Sequence, residues 1–250
     1  RPSRHRRTGN PTCGGRHFGS RLSFLSDQTL LVSLGDRGHR PNGQNLGTHP
    51  GSVIRITDTG GTPEDNPFIH KDSTLPEIYT YGNRNVQGLF ADKLSGQVWA
   101  TEHGPQGGCE LNLLRSGKNY GWADITFGKN YITGTKIGVG YYRKDVESPV
   151  YHWSPSNAPS GLTLYRGSKF TAWQGDLFLG SLKFRLLSRL ELDGVKVVGE
   201  ERLLEGEVGQ LLAAEPLRSL GLAPTPGHVT RLSFVGAVSA ARLLGTRLGG

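Results

Sequence analysis

Between residues 16 and 210 the apolar positions come in short bursts of four to eight, and none is sustained at a helical period. Ten of these bursts read as β-strands: residues 21–25, 29–34, 52–56, 88–92, 98–102, 110–114, 161–165, 176–181, 186–192 and 196–204. Turn-forming residues separate them, as in Thr59-Gly60-Gly61, Lys93-Leu94-Ser95-Gly96, Arg115-Ser116-Gly117-Lys118-Asn119 and Asp193-Gly194. The last of these joins two strand-like runs and signals a hairpin. Two longer stretches, 36–51 and 115–160, hold aromatic and polar residues and predict structured loops on a strand scaffold.

Two segments share one pattern about 65 residues apart. Phe24-Leu25-Ser26-Asp27-Gln28-Thr29-Leu30-Leu31-Val32 and the stretch from Leu89 to Ala100 each run apolar, Asp-containing turn, strand. Antiparallel sheets repeated at that spacing predict the blades of an all-β propeller.

Composition agrees with many strands and turns: 37 glycines and 14 prolines in 250 residues. No run of 18 apolar residues predicts a membrane-spanning helix. No apolar core of a signal peptide is visible at the N-terminus, in a chain that begins without Met. The net charge of +8 suggests nucleic acid until it is mapped. Residues 1–16 hold five arginines and no acid, and residues 211–250 hold four arginines and one glutamate. The flanks carry the whole excess, so no basic face and no nucleic-acid partner is expected. Cys13 and Cys109 are too few for a disulfide framework, and no CxxC or HxxxH pair accompanies His103 and Cys109 as zinc would require.

The flanks differ from the middle. Residues 1–15 are rich in Arg, Pro and Gly and read as disordered or non-native. Residues 16–210 read as one partial propeller domain. From Gln210 to Gly250 there is no Asp, Lys, Asn, Tyr or Trp, and residues 211–250 read as an out-of-frame tail.

Five stretches carry candidate chemistry. The first is His17-Phe18-Gly19-Ser20-Arg21-Leu22 with Leu34-Gly35-Asp36-Arg37-Gly38. A hairpin between them brings His17 and Asp36 to one sheet end, where a carboxylate can fix the tautomer of a general base. The alternative is a loop histidine near a solvated aspartate. In Tyr81-Gly82-Asn83-Arg84-Asn85-Val86-Gln87-Gly88, Arg84 can clamp an anion while Asn85 and Gln87 orient it, or the loop can simply cap itself. Thr101-Glu102-His103-Gly104-Pro105 turns sharply after a strand and can offer backbone carbonyls to a hard cation, or be only a tight turn. Ser181-Leu182-Lys183 places a cation at a strand end. The stretch from Tyr151 to Gly161, with Trp153 and Ser156, can wall a flat-ring or sugar pocket. For these last two, a purely structural role is the alternative.

In order and spacing, GRHFGSRL with LGDRG, then YGNRNVQG, EHGP, NYGW, SPSNAPSG and SLK resemble the soluble quinoprotein aldose and glucose dehydrogenases, over about residues 16–208. That family has six-bladed propellers and depends on pyrroloquinoline quinone (PQQ). The resemblance implies a propeller of which this chain covers roughly four blades. It implies His17 as catalytic base, Asp36 as its orienting carboxylate, and Arg84 both in catalysis and over the quinone. Asn85, Gln87, His103, Lys183, Trp153 and Ser156 are implied as cofactor-binding positions. The carbonyls of Gly104 and Pro105 would hold an active-site calcium, and Glu110 and Tyr120 a structural one. Cys109 stands where an acid is usual beside Glu110.

The implied reaction is PQQ- and calcium-dependent oxidation of the C1 hydroxyl of an aldose to an aldonolactone, in the periplasm, with no particular electron acceptor indicated. PQQ has three carboxylates, and the Arg-x-Arg motif that helps to hold them is expected just after Gly209-Gln210, where Leu211-Leu212-Ala213-Ala214 stands instead. An incomplete propeller of marginal stability with impaired activity is therefore expected. A non-catalytic propeller binding module of the same superfamily is the alternative, although it has no need to retain His17, Asp36, Arg84 and Lys183 together.

Overall fold

The computed structural model describes residues 15–207. They form three four-stranded antiparallel sheets. The first holds β1 (Gly19–Phe24), β2 (Leu30–Leu34), β3 (Ser52–Ile56) and β4 (Ile78–Tyr81). In the second are β5 (Val86–Ala91), β6 (Val98–Glu102), β7 (Cys109–Leu114) and β8 (Tyr151–Trp153). The third comprises β9 (Pro159–Leu164), β10 (Leu177–Ser181), β11 (Leu186–Asp193) and β12 (Lys196–Leu203). Within each sheet the strands follow chain order, and β1, β5 and β9 lie against one another as the inner strands of successive blades.

The alternation of side chains explains why the blades stack. Along β6, Val98 and Ala100 enter a core shared with Leu31 and Val53 of the first sheet. Trp99 points the other way, into a core with Leu162, Leu177, Leu179 and Leu190 of the third. A strand buried on both faces therefore reads as a nearly continuous apolar run, as Val98-Trp99-Ala100 does. The outer face of the third sheet is covered by its own loop, with Phe170 and Trp173 packed on Tyr165, Phe178 and Leu187.

All ten expected strands are present. The structure adds β4 and β8, both outermost, short, and bounded by polar or proline-rich sequence. The repeat is the inner hairpin of each blade, β1–β2 and β5–β6, with β9–β10 as a third copy. Among the described residues there are three four-stranded sheets, against the roughly four blades expected. The reason is residues 115–150, which spend their length on a long loop with isolated bridges rather than on strands. The flanks at 1–15 and 211–250, Gly15 apart, lie outside the described residues, as does the place where Arg-x-Arg was expected.

Candidate active site

Most of the expected functional residues gather at one end of the inner strands. His17 stands two residues before β1 and Asp36 two residues after β2. Arg84 and Asn85 directly precede β5, and His103 follows β6. Antiparallel pairing brings the start of the first strand of each hairpin beside the end of the second, as Gly19 opposite Leu34 and Val86 opposite Glu102 show.

His17 Nδ1 lies 2.6 Å from Asp36 Oδ1. The imidazole is 16% exposed and the carboxylate 1%. With Nδ1–H donated to Asp36, Nε2 keeps its lone pair. The backbone permits this because residue 35 is glycine: a Cβ there would sit 2.1 Å from the His17 carbonyl oxygen. Asp36 also accepts from the Gly38 N–H at 2.7 Å and, through Oδ2, from Trp122 Nε1 at 2.7 Å. Burial alone would raise the Asp36 carboxyl. The hydrogen bond from His17, the Gly38 N–H, the His17 charge and Trp122 together hold it below the ordinary carboxylate range.

A carboxylate depressed by folding stabilises the fold above its unfolded pKa of about 3.9. That contribution is lost as pH falls through the lower folded value. The stability gap between the wild type and Asp36→Asn should therefore be wide at pH 7 and close below about pH 4. Urea midpoints across that range read it directly, and a gap that does not narrow as pH falls from 7 to below 4 would refute the linkage.

Glu102 is the second organising group. Oε2 accepts the Arg84 N–H at 2.6 Å and the Asn85 N–H at 3.4 Å. Oε1 accepts from Asn83 Nδ2 at 3.2 Å and Asn112 Nδ2 at 3.1 Å. Burial raises its carboxyl, opposed by the Arg84 N–H, the Asn83 amide, the Asn85 N–H and the Arg84 charge. Glu110, also buried, is raised further by burial and by the charge of Glu102, with Asn112 opposing. Through Glu102, the Asn83–Asn85 turn is fixed to the end of β6.

The turn aims its side chains. Arg84 Nη1 donates to the His103 carbonyl at 2.8 Å, and its guanidinium lies 5.2 Å from the Trp122 ring centroid. Arg84 Nε is buried with no hydrogen-bond partner. Asn85 Oδ1 accepts from the Gly19 N–H and from Gln87 Nε2, tying blade two to blade one. His103 Nε2 lies 2.8 Å from the Pro159 carbonyl at the start of β9. Its pKa is lowered, chiefly by burial and also by the Arg84 and His17 charges, against the Pro159 carbonyl.

Gly104, Glu110 and Tyr120, expected in two different calcium sites, line one small cavity with Arg84, Glu102 and His103. Its volume is about 10 Å³, room for about one water or ion. A Cβ at Gly104 would meet the Gly108 carbonyl at 2.0 Å. Asn112, bonded to both carboxylates, keeps a buried Oδ1 without a partner. This oxygen-rich donor set fits a hard cation. Pro105 packs beside the cavity, with its ring facing Gly128. Cys109 does not line the cavity, because alternation along β7 sends it into the second core, against Ser156 Oγ.

Lys183 follows β10 and is exposed. Its N–H and that of Leu182 bond to Asn157 and Ala158, next to the proline that holds His103. Among the described residues it makes no ion pair. Trp153 is not brought to this cluster. It is 5% exposed in the core between the second and third sheets, and its Nε1 donates to Glu200 at 3.0 Å. Register explains it: Trp153 pairs with Cys109 on β7, and its ring faces the neighbouring blade.

Sequence reasoning gave no role to Trp122 or Glu102, although NYGW and EHGP contain them. Trp122 reaches Asp36 across 86 positions, a contact no local pattern encodes.

A sequence model of the glucose/sorbosone dehydrogenases matches residues 6–212. The aldose sugar dehydrogenase of Escherichia coli is 42% identical over 192 residues, which cover 76% of this chain and 52% of that protein. A crystal structure of a glucose dehydrogenase superposes with a TM-score of 0.74 at 43% identity, covering 76% of this chain and 55% of that one. The PQQ-bound form of an aldose sugar dehydrogenase from Streptomyces coelicolor superposes with a TM-score of 0.65 at 29% identity, covering 80% and 53%. The chain spans about half the length of the curated relatives it matches.

Proposed function

The chain belongs to the glucose/sorbosone dehydrogenase family, and from that premise we propose that it contributes the catalytic side of a quinoprotein that oxidises the C1 hydroxyl of aldose sugars to aldonolactones. The observation that carries the reading is the His17–Asp36 pair standing beside a buried Arg84 whose Nε has no partner. When bound, PQQ supplies the acceptor for the hydride leaving C1, and calcium the Lewis acid that polarises it.

The chain's own residues do the rest. His17 Nε2 takes the proton of the C1 hydroxyl, and Asp36 stabilises the imidazolium that results. Arg84 directs a cation at negative charge developing on the cofactor, and Glu102 holds the turn that aims it. Asn85, Gln87 and His103 shape the same wall. Lys183, exposed at the rim, and Ser156 are the further contacts proposed for the cofactor. Gly104, Pro105, Glu110 and Tyr120 are proposed around calcium. Trp153 supports the site through the core between the blades. The proposal includes export to the periplasm, in keeping with the resemblance; among the described residues no helix is long and apolar enough to cross a membrane.

Reconstitution tests the reading. Aldose-dependent dye reduction should require both PQQ and calcium, and a chelator should abolish it. Turnover that persists without PQQ would count against the proposal. So would its absence both from this chain and from a version extended to the length of its relatives.

A further inference from the structure

Trp122 belongs to the long loop between β7 and β8, yet it is built into the site. Its N–H donates to the Gly82 carbonyl at 2.9 Å, next to the turn that carries Arg84. Its carbonyl accepts from Gln44 Nε2 at 2.7 Å, and Gln44 is bonded in turn to Asn119 through both ends of its amide. Gly43 completes the fit, since a Cβ there would meet the Trp122 carbonyl oxygen at 2.3 Å and the indole Cδ1 at 2.9 Å. The residue is buried, and the Arg84 guanidinium lies 5.2 Å from its ring centroid.

The indole N–H meets the carboxylate that steers the base. Asp36 Oδ1 takes both the His17 ring and the Gly38 N–H. Oδ2 takes the Trp122 N–H at 2.7 Å. A carboxylate turns easily about its Cβ–Cγ bond, so donors on one oxygen leave its plane free to swing. A donor on the other oxygen fixes that plane, and with it the direction in which the imidazole points. The buried indole gains the acceptor it needs in the same bond.

We propose that Trp122 is the positioning residue of the catalytic base: its N–H locks the plane of Asp36 and so holds His17 in one orientation. The inference deepens the reading above and rests on His17 as the base. An indole that only filled space would leave the base untouched when exchanged for another aromatic ring.

The test compares wild type, Trp122→Phe and His17→Ala. Phenylalanine keeps a ring for Arg84 and loses the N–H. Trp122→Phe should lower kcat/KM for aldose-dependent dye reduction about tenfold to hundredfold, the worth of one hydrogen bond to a charged group. The loss should fall on kcat, with PQQ affinity by calorimetry unchanged. In NMR of the chain without PQQ, the Nδ1–H proton of His17 should broaden or vanish in Trp122→Phe, because its acceptor is free to swing. Asp36→Asn keeps the indole and serves if Trp122→Phe fails to fold: the Trp122 indole N–H signal should move upfield there, as a charged acceptor becomes neutral. Wild-type kcat in Trp122→Phe, a rate loss matched by lost PQQ affinity, or an unmoved signal in either NMR comparison overturns the positioning role alone. Activity retained in His17→Ala overturns the base assignment and the positioning role with it.

Discussion

Replacing His17 with alanine should lower kcat/KM for aldose-dependent dye reduction by about 10²–10⁴-fold, the usual share of a positioned general base. PQQ affinity should change little, because the imidazole makes its hydrogen bond to Asp36 and not to the turn that carries Arg84. The effect is large because no other group takes over. His103 Nε2 is engaged by the Pro159 carbonyl, and the ring is held toward its neutral form by burial. Added imidazole should restore part of the rate, since Asp36 and Trp122 still offer the place where the base stood. Steady-state kinetics with and without imidazole decide it. A variant that keeps more than about a tenth of wild-type activity rules His17 out as the base.

The second large effect should come from Glu102→Gln, a change of one atom. Both carboxylate oxygens of Glu102 accept hydrogen bonds, two from backbone N–H groups and two from side-chain amides. An amide NH₂ in place of either oxygen points donors at donors in a buried site. Leaving buried donors unsatisfied costs about 1–3 kcal/mol each, so a loss of about 2–4 kcal/mol is expected, visible as a lower urea midpoint. The Asn83–Asn85 turn loses its anchor at the same time, so PQQ binding should weaken along with stability. The readouts are urea unfolding and PQQ fluorescence titration on one sample. Stability within about 0.5 kcal/mol of wild type would show that Glu102 is not the keystone described here.

The difference between these two residues also marks the limit of sequence reading. His17 and Asp36 were legible because they flank one hairpin, and a hairpin's register follows from local alternation and its turn. Arg84, Asn85 and His103 were legible for a related reason: each sits at the end of a strand that its own apolar run announces. Glu102 was passed over as the last residue of a strand. Its four donors come from residues 83 to 85 and from Asn112, and only sheet pairing brings those together. Trp153 shows the opposite error. An aromatic residue in a proline-rich loop suggests a pocket wall, but three residues of strand β8 turn it into the core between two blades.

The sequence by itself determined that residues 16–207 are built from β-strands, where ten of the twelve strands among the described residues run, that the inner hairpin repeats, and which residues stand at strand ends with chemistry to offer. Period-two alternation and glycine turns act over a few residues, so they are written locally. The tertiary structure alone decided that the ends of three hairpins meet at one rim, that Trp122 and Asp36 share a hydrogen bond, and that Gly104, Glu110 and Tyr120 border one cavity. Each of these joins residues from different blades or from a long loop, and the packing of inner strands against one another, not any local preference, sets those distances.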